Sequence, residues 1–151
     1  MLYSMRYKAT LREVICLPEV KLLFFSDLLH FAWEVMQSPF YAFKVISLEA
    51  FVLCTIYCSS IDVIITASIL LFFALVKWNR WWFLHPSSWD IVCFLAINLA
   101  LAILVEYLNV YAQHDWGYLP SMPIILGIGL FPMLQWIILP AVLVFILQHT
   151  K

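Results

Sequence analysis

The sequence predicts an all-α integral membrane bundle of four transmembrane helices, with the amino and carboxyl termini cytoplasmic. Three observations carry that expectation. Apolar residues make up 66% of the 151-residue chain and charged residues only 11%, whereas a soluble domain is closer to half apolar and a quarter charged. Mean hydropathy is +0.99, more apolar surface than one small core can hide, and a bilayer lets the outward surface be apolar as well. The basic residues are also lopsided. Arg6, Lys8, Arg12, Lys21, Lys77, Arg80 and Lys151 fall on one side of four crossings and Lys44 alone on the other, a positive-inside bias that places both ends in the cytoplasm.

Residues 1–21 read as a cytoplasmic or interfacial arm, in which Arg6, Lys8 and Arg12 alternate with Leu11, Val14, Ile15 and Leu17. Such a segment suits a short interfacial helix ending near Pro18. It lacks the sustained apolar run and small-residue cleavage site of a signal peptide. The transmembrane domain, 22–148, contains four segments. The first, about 22–41, ends or kinks at Pro39. The second, about 49–76, is long enough to cross at a tilt, and Lys77-Trp78-Asn79-Arg80-Trp81-Trp82 follows it as a basic, aromatic interface girdle. The third, about 89–110, opens with Ser87 and Asp90 at capping-box spacing. The fourth, about 123–147, carries Gly127 and Gly129 near its start, and Pro132 and Pro140 predict kinks. Residues 149–151 are a tail. Short connections imply antiparallel neighbours.

Polar residues interrupt these segments in a pattern. Asp27, His30, Glu34, Gln37 and Tyr41 are spaced three and four apart, which puts them on one helical stripe. Cys54, Cys58, Asp62 and Thr66 recur every fourth residue on the second segment. Asn98, Glu106 and Asn109 mark the third, and Gln135 beside Trp136 marks the fourth. An ionised carboxylate at the bilayer centre costs about 2.5–3.5 kcal/mol on insertion scales, so Glu34, Asp62 and Glu106 should face the interior. No Lys or Arg lies deep enough to pair with them, and His30 is the one basic side chain at that depth. Unpaired carboxylates in a low dielectric take up protons, so at least one of the three is expected to be neutral at pH 7. A neutral acid beside a carboxylate can donate and accept protons.

At a helix rise of roughly 1.5 Å per residue, Glu34 lies about 18 Å from the inner end of its segment, Glu106 about 25 Å from the start of its own, and Asp62 about 20 Å from the outer end. These depths predict a pocket opening toward the outer leaflet, with Glu34 and Glu106 at its mouth and Asp62 at its floor. The expected catalytic set is Glu34, Glu106, Asp62 and His30. The expected substrate-binding set is Trp33, Gln37, Asn109, Trp116, Tyr118, Gln135 and Trp136. No metal or cofactor is expected. The pair His30 and Glu34 lacks the second histidine of a zinc-protease motif, no haem signature accompanies His30 or His114, and the four cysteines read as small buried hydrophobes.

The stretch His30-Phe31-Ala32-Trp33-Glu34, continuing through Val35-Met36-Gln37-Ser38-Pro39-Phe40, resembles in kind the sterol-isomerase and emopamil-binding family. The likeness covers one helix. It implies acidic residues pointing into a lipid-ligand cavity.

The leading expectation is binding or acid/base transformation of a hydrophobic, lipid-like molecule, of isomerase, hydratase or cyclase type. Proton- or ion-coupled transport, which would require an oligomer, and a non-catalytic accessory role in a membrane complex are the alternatives. The bilayer and a hydrophobic small molecule are the expected partners. The absence of a dense basic cluster argues against nucleic acid. A bacterial inner membrane and an endoplasmic reticulum membrane both fit the charge bias.

Overall fold

The computed structural model describes residues 17–42 and 47–149. Arg6, Lys8, Arg12, Cys16, Lys44 and Lys151, and with them the body of the expected interfacial helix, lie outside the described residues. The described chain forms four long helices: α1 (Pro18–Gln37), α2 (Leu48–Val76), α3 (Ser88–Tyr107) and α4 (Leu130–His149).

Helix α1 starts four residues before the expected Leu22, because Pro18 occupies a first-turn position, where its missing N–H costs nothing. It ends at Gln37 rather than at Tyr41; a 3₁₀ turn over Ser38–Phe40, holding Pro39, closes it. Ser47 caps α2 by accepting from the Ala50 N–H at 3.2 Å. At the far end Trp78 takes a left-handed φ of 50°. Its N–H reaches the Leu75 carbonyl and the Asn79 N–H reaches that of Ala74, which is a Schellman closure built without glycine. The Ser87 and Asp90 capping box forms in both directions, at 3.2 and 2.8 Å. Beyond α3 the chain continues as a π-helix, Leu108–Gln113.

Two expectations are corrected here. Residues 123–129 are not helical. Ile124–Ile125 pairs antiparallel with Ile128–Gly129 around Leu126 (φ 50°) and Gly127 (φ 87°), the double positive φ of a tight hairpin turn. A side chain at Gly129 would meet Tyr118 Cε1 at 2.9 Å, so glycine there lets the hairpin lie against the preceding loop. The expected aromatic girdle is also split. Trp78 and Trp81 are exposed, but Trp82 is 1% exposed. Its indole donates to the Leu70 carbonyl at 3.1 Å and its ring stacks on Phe73, because the α2–α3 connection folds back under the bundle.

Paired ends define the arrangement. At one end, here basal, Glu19 of α1 pairs with Arg80, Lys77 with Asp90 at 2.5 Å, and Gln148 with the Phe83 carbonyl. At the distal end Phe40 stacks on Phe131 and Tyr41 forms a bridge with Tyr118. The helices therefore run alternately up and down. Helices α2, α3 with its π extension (Ser88–Gln113), and α4 are long and apolar enough to cross a membrane; α1 carries Glu19, Lys21, Asp27 and Glu34.

The interior divides into two halves. The basal half is mainly apolar, with Leu22, Ile69, Leu70, Phe73, Phe94, Leu143, Val144 and Leu147 packed together; Ser26 and Asn98 are buried as well, Asn98 donating to the Phe94 carbonyl. The distal half buries His30, Gln37, Thr55, Ser59, Thr66, Glu106 and Gln135. Outward faces carry Leu53, Ile64, Leu71, Phe72, Leu75 and Phe145, the surface a bilayer solvates. Pro132 falls in the first turn of α4; Pro140 lies inside it and leaves the Trp136 carbonyl without its helical donor.

Candidate functional site

The α1 stripe turns inward unevenly. His30 and Gln37 are buried, Glu34 is half-buried, and Tyr41 is buried beyond the helix end. Asp27 is exposed, with Ser59 Oγ at 3.5 Å. It sits about 60° around the helix from His30, at the edge of the stripe, and α2 does not cover it.

Three helices converge on one amide. Gln135 of α4, 1% exposed, places Nε2 3.1 Å from Glu34 Oε1, 2.9 Å from Asp62 Oδ2 and 3.1 Å from His30 Nδ1. His30 Nδ1 and Asp62 Oδ2 are 3.4 Å apart, and His30 Nε2 meets Thr66 Oγ1 at 3.2 Å. Gln37 Nε2 donates to Glu34 Oε1 at 2.8 Å and to Gln135 Oε1 at 3.1 Å. Trp33 Nε1 donates to Gln37 Oε1 at 3.2 Å. The Trp136 ring lies 5.5 Å from that of His30. Among the described residues, the hydrogen bonds of both carboxylates run through Glu34 Oε1 and Asp62 Oδ2. Neither Glu34 Oε2 nor Asp62 Oδ1 is among the buried, unpartnered atoms.

Glu106 belongs to a second cluster. It is 7% exposed and accepts from Tyr41 at 3.2 Å, from Tyr118 at 2.5 Å and from the Trp116 indole at 3.5 Å. Burial and the adjoining Glu106 carboxylate push the Tyr118 phenol above its ordinary range, so it remains a donor at neutral pH. These bonds seat the 115–119 loop, which is further tied by Ala42 N–H to the Gly117 carbonyl and Leu119 N–H to the Phe40 carbonyl. No hydrogen bond joins the two clusters among the described residues.

Asn109 does not reach Glu106 by hydrogen bond; its amide donates to the Val105 carbonyl one turn back, at 2.7 Å. His114 and Asp115 are exposed. Cys54 and Cys93 are exposed on outward helix faces and Cys58 is half-buried, which corrects the buried reading for the first two. Among the described residues, no three His, Cys, Asp or Glu side chains are grouped as metal ligands.

By hydrogen bonding the three acids fall into two clusters, Glu34 with Asp62 and Glu106 with the distal loop. A groove of about 520 Å³ lies between α2 and α3, lined by Ile64, Phe72, Ile97 and Leu101 with Ser68 the polar exception. It is bounded by none of the three acids. The residue the sequence undervalued is Gln135, read as lining but placed as the hub. Its signal was an amide within the apolar body of α4, well before the terminal Gln148 and His149.

No protein family, no curated protein and no solved structure matches this chain. The likeness of α1 to the sterol-isomerase and emopamil-binding family accordingly carries no further argument.

Proposed function

We propose that this bundle takes up a hydrophobic, lipid-like molecule and acts on it by proton transfer, with Glu34 and Asp62 as the acid/base pair. In this reading α1 is a fourth crossing, both termini are cytoplasmic, and the site lies within the bilayer. The observation that supports it is the convergence of Glu34 and Asp62 on one Gln135 nitrogen, each through one oxygen, with the other oxygen unengaged among the described residues. A carboxyl group pinned at one oxygen keeps its orientation, and its second oxygen can give or take a proton. One group, neutral, protonates an alkene carbon. The other, ionised, removes a proton elsewhere, with His30 against Asp62 as a proton reservoir. Glu106, accepting at both oxygens, holds the distal loop in place.

The test works with an unidentified substrate. Purified protein is reconstituted into vesicles made from the expression host's total lipid, isoprenoids included, and incubated in D₂O. Reversible proton transfer at carbon leaves deuterium in the molecule that turned over, which mass spectrometry reads against empty vesicles. The expected result is labelling by the native chain, reduced about 10²-fold or more in Glu34→Gln and Asp62→Asn, the size of a lost general acid or base. No labelling above empty vesicles, or equal labelling by both variants, overturns the proposal. The engagement of both Glu106 oxygens by donors from neighbouring segments favours a second reading, a non-catalytic subunit whose polar groups only clasp its parts together. That reading predicts no labelling.

A further inference from the structure

An indole N–H can only donate. Trp33 Nε1 lies 3.2 Å from Gln37, so the atom facing it must be the amide oxygen. This turns the Gln37 NH₂ group the other way, toward Glu34 Oε1 and Gln135 Oε1, two acceptors for two hydrogens. Gln135 is oriented in turn. With its oxygen engaged by Gln37, its NH₂ faces Glu34, Asp62 and His30. The result is a relay of donors with one direction, running from Trp33 through two glutamines into the acid/base cluster.

Packing alone does not set that direction. The two ends of an amide are nearly the same size, and a flip is decided by the hydrogen-bond network. Reversed, Gln135 would present its oxygen to two carboxyl groups and an imidazole, which would then have to supply the protons. In the observed direction two amide hydrogens serve three acceptors, so one contact is left without an amide proton. Glu34 Oε1 already accepts from Gln37, so the two Gln135 hydrogens go to Asp62 Oδ2 and His30 Nδ1. Nδ1 is then the bare nitrogen, and the ring proton sits on Nε2, toward Thr66 Oγ1.

We infer that Trp33 is the positioning residue of this cluster. It hydrogen-bonds to none of Glu34, Asp62 and His30, and through Gln37 and Gln135 it fixes which atoms face them and so holds His30 in a single tautomer. This deepens the proton-transfer reading by naming what sets the resting location of the proton. Its test does not depend on turnover.

The full chain is labelled with ¹⁵N-histidine and reconstituted in lipid nanodiscs. The His30 ring signals are identified by their disappearance in His30→Asn. In the native chain one ring nitrogen is protonated and the other bare, always the same one. Trp33→Phe keeps an aromatic ring and removes the donor, and the two tautomers become populated within about tenfold of each other. Gln37→Met, which breaks the next link with Trp33 intact, has the same effect and serves if the first variant does not fold. Trp136→Phe trims the ring packed on His30 without touching the relay, and keeps the single tautomer. A native mixture, an unchanged tautomer in Trp33→Phe or Gln37→Met, or equal scrambling by Trp136→Phe overturns the inference. Failure of deuterium labelling with this tautomer pattern intact rejects the proposed chemistry and leaves the relay standing.

Discussion

Replacing Gln135 with leucine removes the amide on which α1, α2 and α4 meet while leaving a side chain of similar bulk. The two amide hydrogens of Gln135, with its oxygen meeting the one donor Gln37, make at most three bonds here at a time, drawn from contacts of 2.9 to 3.1 Å. Side-chain bonds between membrane helices average about 0.6 kcal/mol and reach about 1.7, so the loss lies between about 2 and 5 kcal/mol. The lower end is favoured. Glu34 keeps Gln37, Asp62 keeps His30, and Gln37 keeps Trp33 and Glu34, so no group is stranded and the full desolvation penalty does not arise. The expected destabilisation is therefore about 2 kcal/mol, read as the unfolding equilibrium in mixed micelles titrated with denaturing detergent. Gln148→Leu is the internal control. It is the same substitution in the same helix, but that amide makes one 3.4 Å bond to the Phe83 carbonyl at the basal end, and less than about 0.6 kcal/mol is expected. A Gln135→Leu chain as stable as native, or no less stable than Gln148→Leu, would show that the hub contributes nothing to holding the helices together.

Three further outcomes follow from particular contacts. Gly129→Ala puts a methyl group 2.9 Å from Tyr118 Cε1 and 3.2 Å from Met122 Sδ, and should cost about 1–3 kcal/mol as overpacking in the same detergent titration. Asp27→Leu should favour insertion of α1 by about 2.5–3.5 kcal/mol, measured with a glycosylation reporter on translocon-inserted α1; no gain would mean that this exposed carboxylate does not face hydrocarbon. Trp78→Gly relieves a left-handed backbone that costs a non-glycine residue about 1–2 kcal/mol, and should raise stability by about 1 kcal/mol; a loss would show that the fully exposed indole contributes more as an interfacial anchor than its backbone costs.

What was legible in the sequence was local or periodic. The Ser87–Asp90 box is a contact across three residues, so spacing suffices to find it. The three-and-four spacing on α1 identified His30, Glu34, Gln37 and Tyr41, and the fourfold spacing on α2 identified Asp62 and Thr66, because helical geometry converts spacing into direction; the α2 stripe also took in the exposed Cys54 and missed the buried Thr55 and Ser59. Asp27 escaped, since it lies at the margin of its stripe and its burial depends on where a neighbour sits. The fourth segment was extended too far toward the amino terminus. An apolar run starting at Pro123 satisfies a helix start, and only Leu126-Gly127 and Gly129 hinted at a turn. The partition of the three acids was beyond reach. That Gln135 meets His30 across 105 residues, and that Tyr118 meets Glu106 across a loop, are facts of tertiary packing with no local signature.

The division of the interior into a mainly apolar basal half and a polar distal half has a physical consequence. Apolar side chains in a bilayer gain little by exchanging lipid for one another, since lipid tails are as apolar as leucine. The basal half can therefore fill space well without selecting one rotation of each helix over another. The distal half can select. A one-residue rotation of α4 swings Gln135 away from all three of its acceptors. The equivalent rotation of α3 withdraws Glu106 from Tyr41, Tyr118 and Trp116. Register in this bundle is thus carried by amides and carboxylates, and the groups that specify the fold are the same groups placed to move protons. That overlap makes removal of a single function ambiguous: loss of labelling in Glu34→Gln could reflect lost chemistry or lost register. The ambiguity resolves because Gln37 and Gln135 can still hydrogen-bond to the amide oxygen of a glutamine at 34. Register is retained in that variant, and what disappears is only the capacity of the second oxygen to ionise.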